Sequence, residues 1–441
     1  MRLDEAKVIY LTAGAAGMYC GSCMHDNAVT RGLMKRGVNI QLLPLYTPIR
    51  TDEEDVSVDR VFFGGINVFL QQKIPLFRHL PGFLDRWLDS PALISRLSAR
   101  AVKVDGKELG SLALSMARGE SGYQRKEVAR LMKWLKEEAK PYLIVLSNLL
   151  IGGVIPSIKR ELQIPVVVNL QGDDVFLNDL IPPYKEQVIT EMQRLASEVD
   201  GFLVFNDPYA GVMGELLDIP AEKFHLTKLG IDTDALQGMA DACDEDRILS
   251  DSKKPLTVGF FARLCPEKGL DILVDAFIGL KEKPGMETVR LKVGGWLMEK
   301  DREFLEAQQA KLGQAGLADV SEVVISPDRE GKRAFFPGID VFSVPARAVE
   351  PKGLYVLEAM TCGIPVVEPE GGGFAGVIRE SGAGRLVSPG DQNVLAVALA
   401  DLLDSPDDRQ AMGEKGQRFV KDYRGLDEMT DSTAEVFEKF L

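Results

Sequence analysis

The chain has 441 residues and a mass of 48.5 kDa, more than one hydrophobic core usually organises, so its length points to two or three domains. Apolar residues at 45% and charged residues at 27% exclude collagen-like and intrinsically disordered classes. With 52 Lys and Arg against 66 Asp and Glu the formal charge is -14, the wrong sign for a general nucleic-acid binder.

The opening segment Met1 to Lys7 carries two acids and no apolar run. The longest apolar stretch, Tyr142 to Ile155, is broken by Ser147, Asn148 and two glycines. Neither a signal peptide nor a spanning helix is expected. Five cysteines, an odd number spread over a long chain, read as reduced thiols, and the expected compartment is the cytoplasm.

In chain order, Val8-Ile9-Tyr10-Leu11 reads as a strand, Gly14 to Gly21 as a glycine-rich loop that includes Gly17, and Ser22 to Lys35 as a helix. Runs at Ile40 to Leu43, Tyr142 to Leu146, Val166 to Leu170 and Phe202 to Phe205 have the continuous apolar character of parallel strands covered on both faces. Between Lys73 and Lys140 the spacing becomes helical, with Phe83, Leu84, Trp87 and Leu88 on one face and Val128, Leu131, Trp134 and Leu135 on another. That insertion holds 14 Lys and Arg against 8 Asp and Glu, a local excess of 14 - 8 = 6 positive charges on an acidic chain. It reads either as a solvated helical face or as a surface for an acceptor or a membrane.

The acidic stretch from Asp241 to Lys254 marks a boundary. Beyond it the alternation resumes, with strands expected at Leu256 to Phe260, Arg290 to Val293, Val323 to Ile325, Val341 to Val344, Pro365 to Val367 and Gly384 to Val387. The expected architecture is α/β, with two doubly wound Rossmann-like domains facing a cleft and a helical insertion in the first. The boundaries are 1–235 with the insertion near 73–140, a linker at 236–255, a second domain at 256–425, and a C-terminal helix at 426–441 packing back on the first. In doubly wound sheets ligands bind beyond the carboxyl ends of the strands.

The segment from Glu350 to Val367 reads as loop, helix, turn and strand. Pro351 and Gly353 let the backbone approach a ligand, the helix that follows offers free N–H groups to an anion, and Glu358 lies inside it. Two ionised carboxylates so separated can accept from hydroxyls at the two ends of a phosphate-linked ligand, such as a diphosphate with a sugar on each side. Taken without neighbours, each glutamate reads equally well as a solvated acid. Arg263 and Lys268, five apart after an apolar strand, read as an exposed pair with Glu267 or as a phosphate clamp, Arg binding bidentately and Lys as a mobile charge.

The segment from Glu350 to Glu358 resembles the E-x7-E signature of retaining, family 4 type nucleotide-sugar glycosyltransferases (glycosyl transferases group 1) with the GT-B fold, and the resemblance extends over nearly the whole chain. It implies that Arg263 and Lys268 clamp the donor diphosphate in place of a metal ion, with no cofactor beyond a UDP-, GDP- or ADP-sugar. It further implies that Glu350 touches the transferred sugar, that the backbone of Lys352, Gly353 and Leu354 lines sugar and phosphates, and that Glu358 holds the ribose. Gly17 belongs to the loop resembling the one that closes over the phosphates, and Gly294 to the turn beside the nucleobase. Glu370-Gly371-Gly372-Gly373 and Pro389-Gly390-Asp391 continue the family's order.

Departures from that pattern are Gln171 where many relatives carry His, Lys352 for Phe, Ala346 for Ser and Gly376 for Glu. Cys20-x-x-Cys23 beside His25 suggests metal or redox chemistry but reads better as packing at a helix start, and Asp232-Thr233-Asp234 reads as a turn rather than a metal site. The implied partners are a nucleotide sugar and a carbohydrate, lipid-linked or phosphorylated acceptor, with peripheral membrane contact through the basic insertion. The alternatives are a decayed nucleotide-sugar-binding protein, or another GT-B enzyme such as a sugar-phosphate synthase or epimerase.

Overall fold

A computed structural model describes residues 2–14, 21–49, 51, 54–58, 61–63, 106–249, 254–325, 329–347 and 349–441. The chain divides into two compact units, one of residues 1–228 with 429–441, the other of residues 229–428. Each is built on a parallel six-stranded sheet.

In the first unit the strands are β1 (Lys7–Thr12), β2 (Asn39–Pro44), β3 (Leu143–Leu146), β4 (Val166–Asn169), β5 (Gly201–Val204) and β6 (Phe224–Leu226), in the order β2-β1-β3-β4-β5-β6. Val8, Ile9, Leu143 to Leu146 and Val166 to Val168 are wholly buried, as expected when helices cover both faces of a parallel sheet. β6 has no counterpart among the expected runs. Its residues are half-buried or exposed, and an edge strand of three residues carries too little apolar signal.

Of the helical insertion expected at 73–140, residues 73–105, with Phe83, Leu84, Trp87 and Leu88, lie outside the described residues. Within the described part, helices Gly106–Arg118 and Arg125–Trp134 bury Val128, Leu131 and Trp134.

The C-terminal helix Leu426–Glu438 buries Met429, Thr430, Val436 and Phe437. Within the first unit it meets the helix Gly21–Lys35 at Gly32, where a Cβ would stand 2.0 Å from Thr430 Oγ1. Arg36 Nε donates to Asp431 Oδ1 at 2.7 Å, and the Phe440 ring meets His225 edge-on at 5.3 Å.

In the second unit β7 (Thr257–Phe261), β8 (Arg290–Gly295), β9 (Ser321–Ile325), β10 (Val341–Phe342), β11 (Val366–Pro369) and β12 (Gly384–Val387) take the order β12-β11-β10-β7-β8-β9. The stretch 236–255, expected as a linker, is helical in its first part, within the helix Thr233–Leu249. Leu236, Met239, Ala240 and Cys243 are all buried, and their spacing of three, four and seven is that of one helix face. Asp232 Oδ1 accepts from Ala235 N at 3.0 Å, so the Asp232-Thr233-Asp234 string starts this helix.

Candidate functional site

In the second sheet β7 and β10 are neighbours; the chain runs from β7 to β8 on one side and from β10 to β11 on the other. At such a reversal the loops leaving two adjacent strands diverge and open a crevice beyond their carboxyl ends. Arg263 and Lys268 lie on the loop that leaves β7, and Glu350 on the loop that leaves β10.

Backbone contacts lock these loops together. Gly269 (φ 70°) lies so close to the Pro345 carbonyl that a Cβ would be 1.9 Å from its oxygen, and Arg347 N donates to Glu267 O at 3.0 Å. On the other side Leu264 N donates to Trp296 O at 2.8 Å and Ala262 N to Gly294 O at 3.2 Å, which brings Gly294 to the same loop. The glycine run after β11 closes the set. Gly373 N donates to Glu350 O at 2.7 Å, and a Cβ on Gly372 would sit 2.6 Å from Glu350 N.

The side chains meet where the loops do. Lys268 Nζ forms a short ion pair with Glu350 Oε2 and stands 5.5 Å from the centroid of the Tyr355 ring, while the Tyr355 hydroxyl donates to the same Oε2 at 3.3 Å. The Lys268 ammonium is thus held by a carboxylate and an aromatic face, contacts that a phosphate can replace. Arg263 is held separately: Nε donates to Cys265 Sγ at 3.2 Å and Nη2 lies 3.9 Å from Glu267 Oε2. Burial pushes the Cys265 thiol up to about 11, so it stays a thiol at neutral pH.

The helix Leu354–Thr361 begins at Gly353, whose φ of 74° favours glycine, and Phe374 lies 2.8 Å from where its Cβ would be. Lys352 is buried beside it, and Leu354 opens the helix. One turn in, Glu358 accepts from Lys332 Nζ at 2.7 Å. Sequence reasoning missed Lys332, because nothing in the helix Arg329–Phe335 distinguishes it from Arg333. Among the described residues nothing lies within 4 Å of where a Cβ on Gly376 would stand.

The first unit carries a buried polar network at the carboxyl ends of β1 and β4. Asp26 is its hub, accepting from Tyr10 OH at 2.7 Å, Thr12 Oγ1 at 3.1 Å and Gln171 Nε2 at 2.8 Å. Gln171 Nε2 also donates to Ser147 O at 3.1 Å, so both amide hydrogens are spent inside the protein. Cys23 is buried and His25 packs on the Phe205 ring, 4.8 Å between centroids. Cys20 and Gly17 lie outside the described residues.

The structure therefore brings Lys268 and Glu350 into direct contact. It places Arg263, Gly294, Lys352, Gly353, Leu354 and Glu358 on the loops and helix around them.

Residues 244–419 match the family described as glycosyl transferases group 1. The chain is 29% identical over 199 residues, 44% of its own length and 50% of the other's, to the GDP-mannose-dependent alpha-(1-6)-phosphatidylinositol monomannoside mannosyltransferase of Mycolicibacterium smegmatis. It spans about half the length of the curated relatives it matches. The Anabaena protein HepE, solved in complex with UDP, superposes with a TM-score of 0.65 at 15% identity, covering 98% of this chain and 100% of that one. The sucrose-phosphate synthase of Thermosynechococcus elongatus superposes with a TM-score of 0.69 at 16% identity, covering 98% of each. These likenesses show the two-domain α/β fold, GT-B.

Proposed function

From the premise that residues 244–419 form a group 1 glycosyltransferase domain, we propose that the protein moves a sugar from a nucleoside diphosphate to an acceptor hydroxyl, with retention and without a metal ion. The observation that carries this reading is the Lys268–Glu350 contact at the strand-order reversal. A mobile cation and a hydroxyl-accepting carboxylate stand side by side there, where a diphosphate-linked sugar needs both.

Arg263 and Lys268 stabilise the charge that grows on the leaving diphosphate. As Lys268 turns to the phosphates, Glu350 is left to accept from sugar hydroxyls, and Glu358 presents its carboxylate to the ribose. The bond from the anomeric carbon to the phosphate oxygen breaks, the acceptor oxygen bonds to that carbon on the same face, and the acceptor proton passes to the leaving phosphate oxygen. Donor binding needs no cofactor in this scheme, and the nucleotide is UDP, GDP or ADP.

The acceptor is a lipid-linked, phosphorylated or carbohydrate hydroxyl taken up by the first unit. The name of the mycobacterial relative supports the lipid-linked class. Among the described residues no helix is long and apolar enough to cross a membrane.

A second reading, a nucleotide-sugar-binding protein that has lost turnover, draws on Gln171, whose amide is committed to Asp26 and Ser147. Thermal denaturation of the protein with UDP-, GDP- and ADP-sugars, followed by assay of nucleoside diphosphate release, separates the two. Stabilisation with release supports transfer, stabilisation without release supports the second reading, and no stabilisation by any sugar nucleotide overturns both.

A further inference from the structure

Glu368 lies on β11, the strand beside β10, and its side chain is fully buried. Oε1 accepts from Val344 N at 3.0 Å, and among the described residues Oε2 has no hydrogen-bond partner. The charged groups acting on it are Glu350 and Lys268, and it acts in turn on Tyr355. Among the described residues Lys268 is the cation whose charge acts on it, and Lys268 is bonded to Glu350. A carboxylate with one N–H partner and no bonded cation is strongly disfavoured away from water, whereas the neutral acid is not. Burial, with the charge of Glu350 added, holds Glu368 well above the usual carboxylate range; the Val344 hydrogen bond and Lys268 offset only part of this. Tyr355, also buried beside these acids, is held well above its ordinary value and stays a phenol.

We propose that Glu368 is a positioning residue of the donor site: as a neutral acid it leaves Glu350 the one carboxylate of the cluster, with an unshared claim on Lys268. The proposal rests on the glycosyl-transfer reading above and adds a proton to it.

In the free protein one ammonium, one carboxylate and one neutral acid make a balanced cluster. Were Glu368 ionised, two carboxylates would hold Lys268 back from a diphosphate and would repel each other once it left. When Lys268 turns to the phosphates, Glu368 loses the cation that favoured its ionisation and keeps Glu350, which opposes it. It therefore holds its proton more tightly in the donor complex. By linkage, diphosphate affinity falls as pH rises through the ionisation of Glu368. The groups that face Glu368 in this exchange are Glu350, Lys268 and Tyr355.

The test uses the full chain and two variants, Glu368→Gln and Glu368→Leu. Infrared spectra at neutral pH are expected to show a protonated-carboxyl C=O band in the wild type that Glu368→Gln lacks. Calorimetric titration with UDP, GDP and ADP is expected to show affinity falling at alkaline pH in the wild type and a flatter profile in Glu368→Gln. Release of nucleoside diphosphate from sugar nucleotides is expected to fall by about tenfold or more in Glu368→Leu, with Gln recovering most of the loss.

A protonated-carboxyl band unchanged in Glu368→Gln overturns the proposal, and so does a tenfold or greater loss of diphosphate affinity in that variant, which would mark Glu368 as an ionised partner of Lys268. A wild type that binds no nucleoside diphosphate overturns the glycosyl-transfer reading instead, while the infrared band still decides the state of Glu368.

Discussion

The ammonium of Lys332 lies 2.7 Å from Oε1 of Glu358, with both side chains less than one-fifth exposed. The carboxylate that the family pattern assigns to the ribose is therefore already charge-balanced from a neighbouring helix. Lys332→Met leaves that carboxylate buried and unpaired, and is expected to cost about 2 kcal/mol of stability in urea denaturation. Adding Glu358→Gln is expected to return part of the loss, since the uncompensated charge and not the missing ammonium is what destabilises.

Glu350 and Lys268 are expected to fail differently. Glu350→Gln keeps the shape and removes the charge, so nucleoside diphosphate affinity should stay near the wild-type value while transfer falls by about 100-fold or more. Lys268→Ala should weaken diphosphate binding by about tenfold or more, as loss of a charge-assisted contact implies. Calorimetry with the nucleoside diphosphate and a release assay read the two effects separately; equal losses of binding and transfer in Glu350→Gln would remove it from the sugar.

Asp173 gives the first unit a pH signature. It is buried, accepts from Leu149 N at 2.8 Å, and burial pushes its carboxyl up to about 6. A carboxyl whose folded value exceeds its unfolded one contributes stability that is complete below about pH 4 and lost as pH rises through about 6. The stability difference between wild type and Asp173→Asn should therefore drift by on the order of 3 kcal/mol across that window and flatten above it. A difference independent of pH would show that the carboxyl titrates alike in the folded and the unfolded chain.

Gly32 is where the C-terminal helix seats. A methyl group there would lie 2.0 Å from Thr430 Oγ1, so Gly32→Ala is expected to cost about 1–3 kcal/mol by overpacking. Thr430→Ala in the same chain removes the obstructing hydroxyl and should recover part of it. Thermal denaturation of the two single variants and the double variant measures the coupling.

The strands were legible where burial on both faces makes the sequence continuously apolar, as in Val166-Val167-Val168, and illegible where it does not, as in the half-exposed edge strand Phe224–Leu226. The apolar face of the helix Thr233–Leu249 was masked by the acids between its members, which made a helix read as a linker. Glu350 and Glu358 stood out in the sequence because a motif carries them within one local segment. Lys332 and Glu368 were not, because their meaning comes from partners that only the fold supplies, Glu358 for one and the Lys268–Glu350 pair for the other.

Arg36 and Asp431 are joined across 395 residues of chain, and Gly32 and Thr430 pack beside them. During synthesis residues 229–428 leave the ribosome before the segment that completes the first unit. The first sheet must wait, with the surface around Gly32 uncovered, while a whole second unit is made and folds. Contacts between such distant segments are slow to form, and an apolar surface left open meanwhile invites association. Substitutions at the Gly32–Thr430 seat should thus lower the yield of folded protein made in cells by more than their effect on the melting of the finished molecule would suggest.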